Sequence, residues 1–284
     1  MTALAAYEQR REALAAQLRA IRSGGGHTVA LRKSTSNLFR VRAKNAARKL
    51  DVRPFTHILE VDPERMIAQV EGMAPYAAVV EETLRYGLLP LVTPQLKTIT
   101  VGGAVSGLGI ESSSFRWGLV HDGVDEMDIL LGDGRTLTCS RDQQADLFRG
   151  FPNSYGTLGY ALRLKIRLMA ARPFVSLEHT RFTGAGEYFA AISRLSDEGS
   201  IDFIDGTVFA RDEMYVSTGR FVDSAPFTSD YTWLRIYYRS IRERETDYLS
   251  ARDYIWRWDT DWFWCSKHFY AQNRAVRFLA TRRL

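Results

Sequence analysis

The sequence is poor in cysteine and has no long apolar run. Only two cysteines, Cys139 and Cys265, occur among its 284 residues, and they lie far apart in the chain. Two isolated cysteines do not make a metal cluster, so we predict no metal site and a reducing compartment. No stretch approaches about 18 consecutive apolar residues, which argues against a transmembrane helix, and the charged N-terminal segment argues against a signal peptide. These absences predict a globular, cytoplasmic protein.

Positive charge is concentrated at the two ends of the chain. Residues 1–53 hold 12 Lys and Arg against 3 Asp and Glu, residues 235–284 hold 11 against 6, and the middle holds 15 against 24. Basic segments of this kind are typical of proteins that bind nucleic acid, a membrane surface or a phosphorylated ligand. No nucleic-acid motif is present, and Arg32, Lys33 and Arg40 flank a Ser/Thr loop. A phosphorylated cofactor is therefore favoured, with a plain solvated surface as the alternative.

Apolar periodicity and turn residues predict an α+β protein in four parts. These parts are an N-terminal helix over residues 1–22, two mixed units over 23–95 and 96–172, and a third region over 173–284. The third region has the order strand, helix, strand, strand, which predicts an antiparallel sheet covered by helices. Because the chain ends without an evident closing element, we expect this third region to be incomplete, with exposed apolar edges.

A glycine-rich stretch, TVGGAVSGLGIESSS, spans residues 100–114. Gly102, Gly103, Ala104, Gly107 and Gly109 carry little or no side chain, so the backbone can approach a ligand and direct its amides at an anion. Diphosphate binding is the chemistry that such a loop serves best. The stretch matches neither the phosphate loop of nucleotide triphosphatases nor the dinucleotide fingerprint, and a tight structural turn is the alternative.

The order of motifs carries a resemblance to a known family. LEVD at 59–62, the glycine stretch, WGL at 117–119, LLGDGRTLTCS at 130–140 and GTLGYALRLKIRL at 156–168 follow one another in the sequence. This order resembles the FAD domain of the vanillyl-alcohol oxidase (p-cresol methylhydroxylase) superfamily. GIESSSFRWGL and DLFRGFPNSYGTLGYALRLKIRL are similar to the delta-24 sterol reductases and their bacterial relatives. The resemblance implies two α+β subdomains around an extended FAD, followed by a cap domain.

The resemblance also implies which residues hold the FAD. Two kinds of position are carried over from the family: residues along the diphosphate and ribityl group, and residues that approach the flavin from the other side. They are Thr100, Gly102, Gly103, Ala104, Gly107, Gly109, Ile110, Ser112, Ser113, Ser114, His121, Gly156, Thr157, Leu158 and Gly159.

A further diphosphate loop has two neighbouring candidates. RSGGGHT at 22–28 looks like the glycine-histidine loop of many superfamily members, but here it precedes the strand TVAL instead of following it. The loop after that strand is Lys33, Ser34, Thr35, Ser36 and Asn37, whose hydroxyls and amides suit phosphate oxygens. We therefore assign the diphosphate to this second loop, so that His27 is a helix-cap residue and the FAD is bound non-covalently.

Three residues are candidates for the catalytic acid that a sterol reductase would need. Glu111 adjoins the glycine stretch, where a poorly solvated carboxyl would have a raised pKa; the alternative is a carboxylate that only fixes the loop. Tyr254 and His268 lie in an aromatic region over 231–270, which could line a sterol-sized pocket, contact a membrane surface or form core. The resemblance implies that NADPH reduces FAD and that an isolated sterol C=C bond is then reduced.

Two other functions stay open. The same scaffold serves oxidases and dehydrogenases of polar alcohols or sugar acids, for which a pocket rich in Arg, His and Glu is expected in place of an aromatic one. A catalytically inactive fragment or interaction protein is the other alternative, because the members of the resembled family continue well beyond 284 residues.

Overall fold

The computed structural model describes residues 2–25, 29–34, 48–261 and 265–281. In sequence order the helices are α1 (Ala3–Ser23), α2 (Tyr76–Leu84), α3 (Val101–Gly107), α4 (Ser114–Trp117), α5 (Ala145–Gly150), α6 (Ala185–Glu198), α7 (Tyr237–Glu243), α8 (Ala251–Ile255) and α9 (Arg274–Thr281). The strands are β1 (Val29–Arg32), β2 (Arg48–Asp51), β3 (Ile58–Asp62), β4 (Ile67–Glu71), β5 (Leu88–Pro90), β6 (Val124–Leu130), β7 (Thr136–Ser140), β8 (Tyr160–Ala170), β9 (Phe174–Phe182), β10 (Phe203–Ala210), β11 (Glu213–Val222) and β12 (Thr246–Ser250).

The protein folds into two compact units, and each unit is built from three separate segments. Unit 1 comprises Met1–Leu91, Thr98–Gly109 and Leu119–Met169. Unit 2 comprises Val92–Lys97, Ile110–Gly118 and Ala170–Leu284. The predicted α+β class is confirmed by the mixture of helices with antiparallel sheets.

Unit 1 has an antiparallel sheet with the strand order β3-β4-β8-β6-β7, and β5 also pairs with β8. A separate parallel pair is formed by β1 and β2. The pairs β3–β4 and β6–β7 are hairpins of strands that follow one another in the sequence. Gly134 at the β6–β7 turn has φ +89°, a left-handed conformation that glycine adopts without steric cost. The turn residues therefore set where these hairpins reverse.

The predicted N-terminal helix is present as α1 and packs on the core of unit 1. Thr2 caps its start, because the Thr2 side chain accepts a hydrogen bond from the Ala5 backbone N–H at 3.2 Å. Gly24 ends the helix. Tyr7, Leu14 and Leu18 are buried at helical spacing within a cluster that also contains residues of β2 and β8. Burial of this apolar face supplies most of what holds a helix of this kind in place.

The glycine-rich stretch is partly helical, which corrects the expectation of a loop. Residues Val101–Gly107 form α3, and the Thr100 hydroxyl caps it by accepting a hydrogen bond from the Gly103 N–H at 3.3 Å. The Gly102 N–H donates to the carbonyl oxygen of Gly72 at 2.9 Å, and a Cβ at Gly102 would lie 2.8 Å from that oxygen. Gly102 therefore permits a close approach of two backbone segments within unit 1.

Unit 2 has an antiparallel sheet with the order β10-β11-β9-β12. The predicted order of β9, α6, β10 and β11 is confirmed, and α6 packs on the sheet through Tyr188 against Met214 and Val216. The sequence analysis placed no strand in the aromatic region, where β12 pairs with β9. This strand was missed because polar and apolar residue types do not alternate in TDYLS, although burial does: Asp247 and Leu249 are buried and their neighbours are not.

Two properties of the described residues bear on membranes and metals. None of the helices that the structure describes is both long and apolar enough to cross a membrane. Among the same residues, no three His, Cys, Asp or Glu side chains are grouped so that they could hold a metal ion.

Candidate functional site

A cavity of about 390 Å³ lies within unit 1 and is bordered largely by glycine backbone. Its lining comes from the end of α1, from β1 and β2, from α3 and from the turn before β8. The glycines that line it are Gly72, Gly102, Gly103, Gly107, Gly132, Gly156 and Gly159. Arg22 and Lys33 line it as well and bring positive charge to the cavity. Glycine backbone that leaves room for a ligand, together with two cations, suits an anionic ligand.

The individual glycines make different contributions to this cavity. A Cβ at Gly107 would meet nothing within 4 Å, so the space beside this residue is open. Gly156 has φ +83° and Gly159 has φ +144°, and a Cβ at Gly159 would lie 2.5 Å from the Leu130 carbonyl oxygen. Gly159 is therefore required by the backbone itself, whereas Gly107 leaves room that a ligand could fill.

One buried polar atom supports a ligand in this cavity. Tyr160 lines the cavity, and its hydroxyl is buried and has no hydrogen-bond partner among the described residues. Burial raises its pKa far above the ordinary value, so the hydroxyl stays protonated and can donate. Since a buried hydroxyl without a partner is costly, a polar ligand atom would satisfy it. The glycine backbone, the cations and this hydroxyl together fit the diphosphate and polar linker of FAD.

The structure brings some of the predicted cofactor residues to this cavity and not others. Those that line it are Lys33, Thr100, Gly102, Gly103, Gly107, Gly156 and Gly159. Predicted residues that do not line it are Ser34, Ala104, Gly109, Thr157 and Leu158, and Ala104 is buried within α3. His121 lines a separate cavity of about 170 Å³ in unit 1. His27 and the predicted loop residues Thr35, Ser36 and Asn37 lie outside the described residues.

Several lining residues were missed by the sequence analysis. Gly72 and Gly132 follow the ends of β4 and β6, and Arg22 lies in the last turn of α1. Arg22 also donates to the Gly132 carbonyl oxygen at 2.9 Å. A glycine directly after a strand, such as Gly72, is a weak local signal of close backbone approach. Arg22 begins the segment RSGGGHT, which was set aside as a diphosphate loop in favour of the loop at 33–37.

A second site lies in unit 2 and is centred on Glu111. Ser114 fixes the loop that carries it, because the Glu111 N–H donates to the Ser114 hydroxyl at 2.9 Å. The Glu111 carboxylate accepts a hydrogen bond from the Gln95 N–H at 3.3 Å. Ser112 is buried, and its hydroxyl accepts from the Tyr254 hydroxyl at 3.2 Å. Ser112, the neighbour of Glu111 in the chain, thus joins this segment to Tyr254 of α8.

Burial raises the pKa of Glu111 to about 8, and the nearby carboxylate of Asp205 acts in the same direction. The hydrogen bond from Gln95 and the positive charge of Arg257 act in the opposite direction. Desolvation disfavours the charged form of a carboxyl group, and so does a neighbouring negative charge. Glu111 is therefore largely protonated at neutral pH, in the state that a general acid requires.

Arg257 is the central cation of this site and was not identified from the sequence. Its side chain is fully buried and forms an ion pair with Asp205 on β10. The guanidinium carbon lies 3.8 Å from the ring centroid of Tyr254 and 5.2 Å from that of Tyr237. Its Nη1 donates to the Tyr254 carbonyl oxygen at 2.6 Å, whereas its Nε has no partner among the described residues. A charge buried to this degree needs such pairing to be tolerated.

The other predicted residues differ in their surroundings. Ser113 is buried at the start of α4, and Ile110 is 74% exposed. Tyr254 is buried, and its burial raises the pKa of its hydroxyl well above the ordinary value. His268 is exposed in a short 3-10 helix, Cys265–Phe269, and no described contact joins it to Glu111 or Tyr254. The structure therefore brings two of the three predicted catalytic residues together and not the third.

Comparison with known proteins gives three sets of similarities. Residues 5–140 match a family model described as FAD binding domain. The Delta(24)-sterol reductase of Homo sapiens is 33% identical over 168 residues, which cover 59% of this chain and 33% of that protein. The Delta(24)-sterol reductase of Pisum sativum is 31% identical over 184 residues, which cover 61% of this chain and 32% of that protein. Cytokinin dehydrogenase 9 of Oryza sativa subsp. japonica is 35% identical over 152 residues, which is 48% and 28%. The chain spans about a third of the length of the curated relatives it matches.

Proposed function

Residues 5–140 of the protein belong to the family of FAD binding domains, and on that premise we propose that it is an FAD-dependent oxidoreductase that uses NADPH to reduce a carbon–carbon double bond in the side chain of a sterol. The observation that carries the proposal is the glycine-bordered cavity of unit 1 together with the similarity to Delta(24)-sterol reductases. The proposal includes a non-covalently bound FAD and a cytoplasmic location. Cell fractionation tests the location.

In this proposal the cavity of unit 1 holds the FAD. The backbone at Gly103 and Gly107 would border the diphosphate, Arg22 and Lys33 would balance its charge, and the Tyr160 hydroxyl would donate to a polar atom of the cofactor. Bound FAD supplies two-electron redox chemistry, and the protein supplies position and protons. These residues bind and orient the group but take no part in proton transfer.

Glu111 is the residue that we assign as the proton donor. An isolated alkene is a poor hydride acceptor. A proton must therefore reach its less substituted carbon before or while the other carbon is reduced. Glu111 keeps a proton at neutral pH because burial and Asp205 raise its pKa to about 8. Tyr254 is a far weaker acid, since burial raises its pKa well above its ordinary value, and its hydroxyl is engaged with Ser112. Tyr254 therefore serves better as a positioning residue for the loop that carries Glu111.

A second candidate function has its own support. Cytokinin dehydrogenase 9 is among the similar proteins, and the described surroundings of Glu111 contain the charged residues Asp205 and Arg257. A polar alcohol or amine substrate, oxidised by the flavin, would suit such a site. In this second function Glu111 would accept a proton, which requires it to act at a pH above the raised pKa.

The cofactor proposal is tested by changing the open side of the cavity. Gly107→Val should abolish retention of FAD, because its side chain would enter the space beside the cavity backbone. Gly186→Val is the matched control, since Gly186 is also a helical glycine whose Cβ meets nothing within 4 Å. Absorbance of the purified proteins measures flavin content, and acid precipitation should release FAD into the supernatant. Equal flavin content in both variants would show that the cavity is not the FAD site.

The reaction is tested anaerobically with the flavin-loaded protein. NADPH should bleach the flavin absorbance, and a sterol with an unsaturated side chain should restore it while the saturated product forms. Glu111→Gln should leave bleaching intact and slow the restoration on the order of 10²-fold. Bleaching by sugar alcohols or other polar substrates, with no response to NADPH, would favour the second function. No flavin response to any of these compounds would favour an inactive fragment.

A further inference from the structure

A second large cleft, of about 850 Å³, lies in unit 2 and is rich in arginine. It is formed by the segment around α7 and by the start of α9. The charged side chains that line it are Arg235, Arg239, Arg244, Arg274, Asp230 and Glu243. Four guanidinium groups therefore face two carboxylates, and we refer to this site as the arginine cleft. The arginine cleft is separate from the cavity of unit 1 and from the site around Glu111.

Among the described residues, one of the four arginines forms an ion pair with a carboxylate, and the charge of Arg239 also acts on the carboxyl of Asp261. Arg244 forms an ion pair with Asp247 at 3.2 Å. Arg239 donates only to a neutral partner, the Gln272 side-chain oxygen, at 2.9 Å. Within the part of the protein that the structure describes, the side chains of Arg235 and Arg274 make no hydrogen bond or ion pair. The cleft thus holds guanidinium groups with unused donors.

The acidic side chains of the cleft do not cancel this charge. Asp230 is occupied locally, because it accepts hydrogen bonds from the Thr232 backbone N–H at 2.7 Å and from the Thr232 hydroxyl at 2.6 Å. Glu243 is exposed at the end of α7. Neither carboxylate is paired with an arginine of the cleft among the described contacts. An anion in the cleft would therefore meet an excess of positive charge.

Two features indicate the class of anion. Guanidinium groups bind phosphate through two parallel hydrogen bonds, and several arginines in one cleft suit a ligand with more than one phosphate. Trp233 also lines the cleft; its ring centroid lies 6.2 Å from that of Phe278, and the 42% of Trp233 that is exposed offers an aromatic surface on which a nucleotide base can stack. A nucleotide with separate phosphate groups matches both features.

We propose that the arginine cleft binds the adenosine 2′,5′-bisphosphate portion of NADPH, with Arg235, Arg239 and Arg274 on the phosphates and Trp233 against the base. The inference rests on the proposed function, in which NADPH is the electron donor. The glycine stretch at 100–114 matches no dinucleotide-binding fingerprint. Recognition of the donor by arginine side chains is consistent with that absence.

The test measures binding of adenosine 2′,5′-bisphosphate to the flavin-loaded protein by isothermal titration calorimetry. The double variant Arg235→Gln with Arg274→Gln should bind about 100-fold more weakly, because each arginine that contacts a phosphate contributes about tenfold in affinity. Neither side chain has a partner among the described residues, so folding should be unaffected. Arg211→Gln is the matched control, since Arg211 is an exposed arginine of unit 2 outside the cleft.

Several outcomes would overturn the proposal. The wild type could fail to bind the bisphosphate, or the double variant could bind it as tightly as Arg211→Gln does. Inorganic phosphate could bind as tightly as the nucleotide, which would remove the base from the site. Anionic phospholipid vesicles could bind instead of the nucleotide, which would make the cleft a membrane contact. Reduction of the flavin by NADPH is followed in parallel. If the double variant is reduced with an unchanged KM for NADPH, the cleft is not the NADPH site, although NADPH is still the electron donor.

Discussion

The raised pKa of Glu111 predicts that this one residue makes the stability of unit 2 depend on pH. In the folded protein its pKa is about 8, against an ordinary value of 4.5. The folded state therefore holds the proton more tightly than the unfolded state does. It follows that Glu111 does not lower the free energy of unfolding below about pH 4.5 and lowers it increasingly as the pH rises toward 8.

The size of the effect follows from the shift. Each pKa unit corresponds to about 1.4 kcal/mol, so between pH 5 and pH 9 the wild type should lose about 4 kcal/mol relative to a variant without a titrating group at this position. Glu111→Gln is such a variant and keeps the shape of the protonated carboxyl. The two proteins should be similarly stable at pH 5, and the variant should be the more stable one at pH 9.

Urea unfolding, followed by tryptophan fluorescence, measures this difference in the free energy of unfolding and reports on unit 2. All six tryptophans of the sequence belong to unit 2, as does Glu111. Glu187→Gln is the control, because Glu187 is an exposed glutamate of unit 2 on α6. Wild type and Glu111→Gln with parallel stability profiles from pH 5 to pH 9 would refute the raised pKa.

A spectroscopic measurement supports the same reasoning independently of folding. The infrared band of a protonated carboxyl should be present in the wild type at pH 7 and absent from Glu111→Gln. Asp205→Asn removes a negative charge that raises the pKa of Glu111 and leaves the positive charge of Arg257 without its partner. The band should then disappear at a lower pH than in the wild type. A shift toward higher pH would contradict the assigned roles of these charges.

Three further predictions concern stability. Arg257→Met should destabilise unit 2 by about 1–3 kcal/mol in thermal unfolding, because it leaves the partly buried carboxylate of Asp205 without its partner; an unchanged melting temperature would contradict a contribution of this ion pair to stability. Gly159→Ala should lower the yield of folded protein and its melting temperature, since a Cβ there meets the Leu130 carbonyl oxygen at 2.5 Å and φ is +144°. Tyr7→Phe should cost about 1–3 kcal/mol in urea unfolding, because it removes the 2.7 Å hydrogen bond to buried Asp128, and no loss would mean that water replaces the bond.

Local patterns predicted those parts of the fold that are determined locally. The helix α1 and the order of β9, α6, β10 and β11 are confirmed, because each depends on periodicity and on turn residues next to it in sequence. The family resemblance is also confirmed. The helical form of residues 101–107 was missed, since glycines favour a loop unless a neighbour such as Gly72 packs against them.

The candidate sites were predictable only where they depend on sequence motifs. The glycines of the unit 1 cavity and the position of Glu111 came from motifs and from the family resemblance. Asp205 and Arg257 were not predicted from the sequence, because a charged residue within a strand or an aromatic segment does not indicate which partner it meets after folding. The same holds for Gln95, whose backbone N–H and side chain both meet Glu111 only after folding.

The division of unit 2 into three separate segments has a consequence for the biosynthesis of the protein. The ribosome releases Val92–Lys97 and Ile110–Gly118 before any part of Ala170–Leu284 has been made. The segments that carry Gln95 and Glu111 must therefore wait, without their charged partners, until Asp205 and Arg257 emerge. During that interval the carboxyl of Glu111 is hydrated and ionised like that of any ordinary glutamate. The nascent polypeptide must take up a proton at this position late in synthesis, so the completion of unit 2 should be more favourable in an acidic medium than in an alkaline one.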